Sequence, residues 1–481
     1  MIRTNLFRLI LPFALLSLLT IAVAAQTAST LTAGLKGPGK IVYTEGGNLI
    51  VVESGQGPNT GRVSLVNRCG NRTTLVDGLP GSVSSEGETS GPSGLALRGR
   101  TLFVSIGEGD ALVAGDAPGS AKPNPNGPSS PLLSSILAIE FGTDIDRSAG
   151  GFTMAATDHA TIKSSASFSL HNAQNETATA KVLADFPDFV PDPFIGSRAS
   201  NPFALAIDGN TLYVADAGGN LIRKVNIDTG AAEVLTGFAP LPNPLPFGPP
   251  VVDAVPDGIR VFGDKLLVTF LTGFPFAPGR AEIRSVELTT GKQATFIGGL
   301  TTALDVLPVK TRLGADQFYV LEISSNLAQG TPGRLLRFDS PTATPILIAG
   351  GLIGPVGIAR DARSGDLFIS ETFTGRILQI TGNEYDICLQ DDNTGDALRF
   401  NSLTGEYLFV SCKSGVVMTG RGKIERQGCA TELSDPFVAA VIDRCLIAPQ
   451  NRGAATIRRT PFGTATYIHD SDTTNNTCTG R

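Results

Sequence analysis

The sequence predicts an all-β protein: a six-bladed β-propeller closed by its own N-terminal strand, followed by a small β-sandwich or barrel domain. Three observations carry this prediction. A phrase made of a turn, an apolar strand, a tight turn and a second strand, often ending in an acid, recurs six times before residue 382. Each copy continues into further short strands, giving about four strands per unit of about fifty residues, the size of a propeller blade. A strand near the N-terminus matches the one strand that the last unit lacks, so the ring can close without an exposed sheet edge.

The chain begins with an export pattern. Arg3 and Arg8 accompany an apolar run from Leu9 to Ala22, and Val23-Ala24-Ala25 places small residues ahead of Gln26. That order is the order of a cleaved secretory signal, here residues 1–25. The run is shorter than the roughly 20 residues of a spanning helix, and no later segment approaches that length. An exported chain, periplasmic or extracellular, is expected, with no membrane span after cleavage.

Composition agrees with an all-β reading. Charged residues make up 17% of the chain, whereas glycine (56) and proline (31) are plentiful. Turn-rich chains with few charges build many short strands. A net charge of −6 without any basic run excludes nucleic acid as a partner.

Taken in order, the units start at Gly37, Gly91, Asn201, Val255, Thr301 and Gly354. Their small or turn position falls at Lys40, Gly94, Ala204, Gly258, Ala303 and Gly357, with separations of 54, 110, 54, 45 and 54 residues. The gap of 110 holds no seventh copy, and its polar, Ala/Ser/Thr-rich stretch at about 142–180 reads as an insertion. Third strands are expected at 61–67, 134–141, 220–227, 280–288, 333–338 and 375–380, and fourth strands at 73–76, 181–186, 232–238, 293–297 and 345–349. Most of them alternate apolar and polar residues, as half-buried strands do. Ser29–Leu35 precedes Gly37-Pro38 just as Ile348–Leu352 precedes Gly354-Pro355, so it takes the missing place in a propeller spanning 26–382.

In an up-and-down blade, the end of the second strand and the start of the first lie on one face, the mouth of the channel. The residue after each second-strand core is Glu53, Ile106, Asp216, Phe270, Glu322 and Glu371, and Glu108 follows just beyond Ile106. Two readings stay open. The carboxylates of Glu53, Asp216, Glu322 and Glu371 converge on Ca²⁺, helped by Asn201, Asn220 or Asp257, because Ca²⁺ takes roughly six to eight oxygens. Alternatively, each acid accepts hydrogen bonds from N–H groups of its own turn. Repetition in blade after blade favours bracing, since a site needs asymmetry.

The aromatic, doubly proline-bearing stretch Leu271–Gly279 is expected to stand over the mouth, either as a packing plug or as an apolar wall through Phe274 and Phe276. Candidate ligand residues are therefore Asn201, Asp216, Asn220, Phe274, Phe276 and Glu322. His159 and His171 lie in the insertion and His469 near the C-terminus, so no His-centred acid–base pair is implied. Neither a nucleophile elbow nor a phosphate loop is present.

Asn201-Pro202 leading to Leu212–Asn220, the Leu271–Gly279 loop, Tyr319–Ile323 and Gly91–Gly94 together resemble the ScyD/ScyE family of exported bacterial propeller proteins over roughly residues 34–382. The single blades are also similar to the broader NHL repeats. The resemblance implies a six-bladed exported propeller and no defined reaction. The insertion and the cysteine-rich tail depart from the family pattern.

After Gly382 the repeat stops. Strands are expected at 398–401, 407–410, 416–419, 423–426, 437–443, 455–459 and 465–469, about seven in all. Cys388, Cys412, Cys429, Cys445 and Cys478 fall in this part, and an oxidising compartment makes them a disulfide framework. Five is odd, so either Cys69 pairs across the two parts or one thiol stays free. Asp391, Asp392 and Asp396 read as a solvated turn, because the spacing is not that of an EF-hand.

Acids and apolar loops without a catalytic constellation point to a binding or scaffold protein whose ligand face is the channel mouth. Its partner would be a small molecule or an extracellular protein, and the chain is expected to be a monomer. The alternatives are a calcium-dependent, lactonase- or esterase-like hydrolase and a surface-attached structural protein.

Overall fold

The computed structural model describes residues 28–381 apart from 117–119, 193–195, 312–313 and 363, and beyond 381 it describes eight strands. The signal expected at 1–25 lies outside the described residues. No described helix is long and apolar enough to cross a membrane.

Six antiparallel blades form the body. Blade 1 is Pro38–Tyr43, Leu49–Glu53, Gly61–Val66 and Arg72–Leu79, and blade 2 is Pro92–Arg98, Thr101–Ile106, Ser135–Phe141 and Thr177–Asp185. Blade 3 is Pro202–Asp208, Thr211–Asp216, Leu221–Asn226 and Ala232–Gly237, and blade 4 is Pro256–Phe262, Lys265–Phe270, Ala281–Glu287 and Gln293–Leu300. Blade 5 is Ala303–Lys310, Asp316–Glu322, Gly333–Phe338 and Ile346–Leu352. Blade 6 takes Pro355–Arg360, Leu367–Glu371 and Arg376–Ile380 from the end of the ring and Ala28–Ala33 from its beginning. That last strand runs antiparallel to the third, with Ser29 opposite Gln379. First strands abut from blade 1 through blade 6 and back to blade 1, so the ring is complete.

Alternation along each strand gives the sheets two apolar faces, and neighbouring blades share them. Phe103 and Ile136 of blade 2 pack with Leu205, Leu212 and Val214 of blade 3, and Leu267 and Ile283 of blade 4 pack with Phe318 and Phe338 of blade 5. Near the axis the strands converge and side chains must shrink. A Cβ on Gly94 would sit 2.5 Å from the Phe203 carbonyl oxygen, and one on Gly258 2.6 Å from that of Leu304. Register corrects one member of the expected small column. Ala303 pairs with Glu322, as Pro92 pairs with Ile106 and Pro202 with Asp216, so Asp305 and not Ala303 shares the column with Gly94, Ala204, Gly258 and Gly357.

The long second-to-third unit gap holds two inserted segments, where one at about 142–180 was expected. Residues 107–134 join the second and third strands of blade 2 on the mouth face and carry a hairpin of Leu112–Ala114 with Ala121–Pro123. Residues 142–176 join the third and fourth strands, the latter starting at Thr177 rather than 181. This second segment is polar in composition yet packed. Phe152–Thr153 adds a parallel strand to blade 1, Phe168–His171 adds an antiparallel one to blade 2, and Ile145, Phe152, Met154 and Ile162 are buried. His159, on the short helix Asp158–Ser164, pins the two insertions to blade 1. Its Nε2 lies 3.0 Å from the Gly78 carbonyl oxygen and its Nδ1 2.9 Å from Ser130 Oγ. A carbonyl can only accept, so Nε2 carries the proton and Nδ1 accepts from the serine. Burial pushes the imidazole pKa below its ordinary value.

Beyond residue 381 lie two four-stranded antiparallel sheets, one of Ile387–Gln390, Ala397–Phe400, Glu406–Val410 and Val417–Arg421, the other of Lys423–Gln427, Ala430–Ser434, Ala465–Asp470 and Ala455–Arg459 in that order across the sheet. Ile387–Gln390 and Ala430–Ser434 were not foreseen. The strand expected at 437–443, the turn at Asp391, Asp392 and Asp396, and the side chains of Cys388, Cys412, Cys429, Cys445 and Cys478 lie outside the described residues. Cys69, in the turn after the third strand of blade 1, is disulfide-bonded.

Candidate functional site

The mouth face is made of the loops joining second to third strands and those leading from one blade into the next. The six aligned positions land there as expected. Glu53, Ile106, Asp216, Phe270, Glu322 and Glu371 each pair with the first residue of the adjoining strand.

Their chemistry is bracing. Glu53 Oε2 accepts from the Lys36 N–H at 2.6 Å and Oε1 from Ser64 Oγ at 2.6 Å. Asp216 accepts from the N–H groups of Asn201 and Gly219 at 2.9 and 3.0 Å, from Ser200 Oγ at 2.5 Å and from Arg223 Nε at 2.8 Å. Glu322 accepts from the Thr301 N–H at 2.7 Å and from Arg334. Glu371 accepts from the Ile353 N–H at 2.7 Å, Thr374 Oγ1 at 2.8 Å and Arg376 Nε at 2.5 Å. All four carboxylates are fully buried. Burial raises the Glu322 pKa above the usual carboxylate value, against the pull of Arg334 and the Thr301 N–H.

The structure does not bring Glu53, Asp216, Glu322 and Glu371 together as a Ca²⁺ site. Among the described residues no three His, Cys, Asp or Glu side chains are placed to share a metal ion. Each acid spends its lone pairs on the backbone that leads into its own blade, and in three blades an arginine from the third strand supplies the counter-charge. Those arginines were visible in the sequence at Arg223, Arg334 and Arg376, shortly after each acid. Asn201 and Asn220 also act as braces. The Asn201 N–H serves Asp216, and Asn220, at φ 53°, accepts the Val255 N–H on Oδ1 at 2.8 Å.

Sequence reasoning missed the floor of the mouth. Lys40, taken there as a small-position residue, is only 5% exposed and projects its ammonium across the axis. It donates to the carbonyl oxygens of Leu304 at 2.6 Å and Val356 at 2.9 Å, and lies 5.5 Å from the Phe203 ring centroid. First strands present unpaired edge carbonyls to the channel, and a cation on a long stem can satisfy two of them. Asp305, 3.9 Å from Lys40, accepts from Arg260 at 2.7 Å and from the Ile358 N–H at 3.2 Å. Asp257 is 2% exposed and its Oδ2 has no hydrogen-bond partner among the described residues. Burial pushes the Asp257 carboxyl up to about 7 against the attraction of Lys40, and pushes the Lys40 ammonium down. The place a central cation would take is thus held by an ammonium of the chain itself.

Above this floor the rim is apolar. Ten large hydrophobic side chains are exposed among the described residues, and eight of them lie on the mouth loops: Val83, Phe189, Val190, Phe247, Val251, Phe274, Ile353 and Phe373. Phe274 is 58% exposed, with its ring 6.4 Å from Phe247 and 6.2 Å from half-buried Phe276. The surrounding backbone is held in unusual conformations: Val255, Thr272 and Phe276 have φ of 52°, 68° and 57°. For β-branched residues such angles cost energy and persist only where neighbours enforce them. Rim loops are also tied to each other, Arg198 joining Asp192 to Asp253 at 2.5 and 2.7 Å. Glu108 stands beside this rim, its pKa raised to about 7 by burial first and then by the charges of Glu86 and Asp216.

No family model matches this chain, and no curated protein is similar to it. Among solved structures it is similar to a nidogen/laminin complex, with 10% identity, a TM-score of 0.34, and coverage of 76% of this chain and 91% of that one. It is similar to a streptogramin B lyase at 13% identity and a TM-score of 0.37, over 75% of this chain and 98% of the other. A PQQ-bound aldose sugar dehydrogenase from Streptomyces coelicolor matches at 14% identity and a TM-score of 0.38, over 73% and 96%. The six-bladed assignment stands on the strand pairing and the closed ring, independently of these likenesses.

Proposed function

We propose that this chain is an exported binding protein that engages its partner with the mouth face of the propeller. One observation carries the reading: eight of the ten exposed large hydrophobics of the described residues gather on the loops of that face. Monomeric proteins rarely leave apolar side chains grouped on one face unless something covers them. The Phe274 loop is also one of the stretches that carry the ScyD/ScyE resemblance, which supports the same face. The bracing acids and the Lys40 floor give it a rigid base, as a preformed binding surface requires.

The test compares tagged full-length protein with F247S/F274S and with V234S/L347S, which removes the two exposed apolar residues on outer strands, in the medium or periplasm of the native host. Species retained by wild type are expected to be lost with the mouth variant and kept with the outer-strand variant. The opposite pattern, or equal retention by all three, refutes the reading.

A further inference from the structure

The partner's chemistry can be narrowed, in an inference that rests on the mouth-face reading. The exposed side chains are spread around the ring. Val83 lies between blades 1 and 2, Phe247 between blades 3 and 4, and Phe373 in blade 6. A single small molecule covers one such position, whereas a polypeptide lying across the face covers several.

Charge supplies the second constraint. The mouth loops hold eight acidic and four basic side chains. Two of the bases are already engaged on this face, Lys122 with Asp116 at 2.7 Å and Arg198 with Asp192 and Asp253. Among the described residues Glu86, Glu88 and Glu108 form no ion pair; Glu86 and Glu88 share the turn between Val83 and Thr89, and Glu86 is close enough to Glu108 to raise its pKa. An apolar rim with a group of uncompensated acids at blades 1 and 2 complements a surface of the opposite pattern, because like charges are repelled and a cation relieves the acids' mutual repulsion.

We propose that the mouth of the propeller binds a polypeptide segment that carries both lysine or arginine and aromatic or large aliphatic residues. The rim phenylalanines take the apolar side chains, and Glu86, Glu88 and Glu108 take the cations.

A displayed random-peptide library tests this without presupposing a sequence. It is selected in parallel on the full chain, on F274S/F373S and on E86Q/E88Q/E108Q, with each variant's thermal unfolding checked against wild type. Peptides recovered on wild type are expected to be rich in Lys/Arg and aromatics. Their affinity should fall about tenfold or more on the phenylalanine variant, the usual loss for an interface anchor. On the glutamine variant they should weaken and lose salt dependence. Acidic or uncharged peptides that still need Phe274 and Phe373 would overturn the partner class and leave the mouth-face reading standing. Equal recovery on wild type and the phenylalanine variant would overturn both. Absence of any enriched peptide would also overturn the proposal. Sedimentation with phosphatidylcholine/phosphatidylglycerol vesicles, or concentration-dependent self-association in the ultracentrifuge, would then identify a lipid surface or a second copy as the occupant.

Discussion

Glu371→Gln separates a brace from a metal ligand. The carboxylate accepts from the Ile353 N–H, Thr374 Oγ1 and Arg376 Nε, at 2.7, 2.8 and 2.5 Å, in a fully buried position. Glutamine has nearly the same shape but keeps one acceptor oxygen and presents an NH₂ group where the other was. Two of the three donors can crowd onto the remaining oxygen. The third then faces another donor, and the Arg376 guanidinium loses its anion. Losing one charge-assisted bond costs about 1.5–3 kcal/mol, and a buried donor left unpaired costs about 1–3 kcal/mol, so a loss of about 3 kcal/mol is expected. Urea unfolding should show a lower midpoint at an unchanged slope. Because the carboxylate is filled by the protein, the loss should be the same in calcium and in chelator. Wild-type stability that rises with calcium, together with a variant that no longer responds, would refute the bracing argument. So would a variant as stable as wild type.

Other expectations follow from the same contacts. Lys40→Met keeps the stem but strips the donor from the Leu304 and Val356 carbonyls and the counter-charge from Asp257 and Asp305; a loss of about 3 kcal/mol in urea unfolding is expected, and a change within about 0.5 kcal/mol would deny the ammonium its role. His159 has a folded-state pKa below its unfolded one, so the folded chain binds fewer protons between the two values. Its contribution is full above about pH 6.5, the free histidine value, and is lost as pH falls toward the depressed pKa. Unfolding free energies measured from pH 8 to 5 should show this slope in wild type and a shallower one in His159→Gln, and identical slopes would argue against it. Cys69 is disulfide-bonded and the other five cysteines all lie at or beyond residue 388, so unreduced peptide mapping should join the Cys69 peptide to one from the C-terminal part. A Cys69 peptide that appears free would contradict the bridge.

How far the sequence could be read depended on what periodicity reports. Turn–strand phrases mark six blades because period-two alternation and turn residues are local properties. The closing strand was legible because Ser29–Leu35 repeats the spacing of Ile348–Leu352 before a Gly-Pro pair. Roles set by long-range packing were not legible. Lys40 looked like one more turn residue, yet its partners Leu304 and Val356 come from blades 5 and 6, 264 and 316 residues further along the chain. Residues 142–176 look polar by composition, but a few apolar side chains among them suffice to dock the segment on blades 1 and 2. Asp305 was overlooked as the column residue of blade 5 because that blade begins with Ala303 where the other five begin with Pro38, Pro92, Pro202, Pro256 and Pro355.

The closing strand has a consequence for the order in which the ring can form. Ser29 and Gln379 are joined across 350 residues of chain, whereas nearly every other pairing in the ring links strands that follow one another. Local hairpins form early, because little chain entropy is lost in closing them; a contact between the two ends must wait. While the last blade is incomplete, its third strand is an open edge able to pair with any extended chain nearby. Ring closure is therefore the step at which the growing protein passes from a row of semi-independent blades to a single cooperative unit, and Ala28–Ala33 is the segment that commits it.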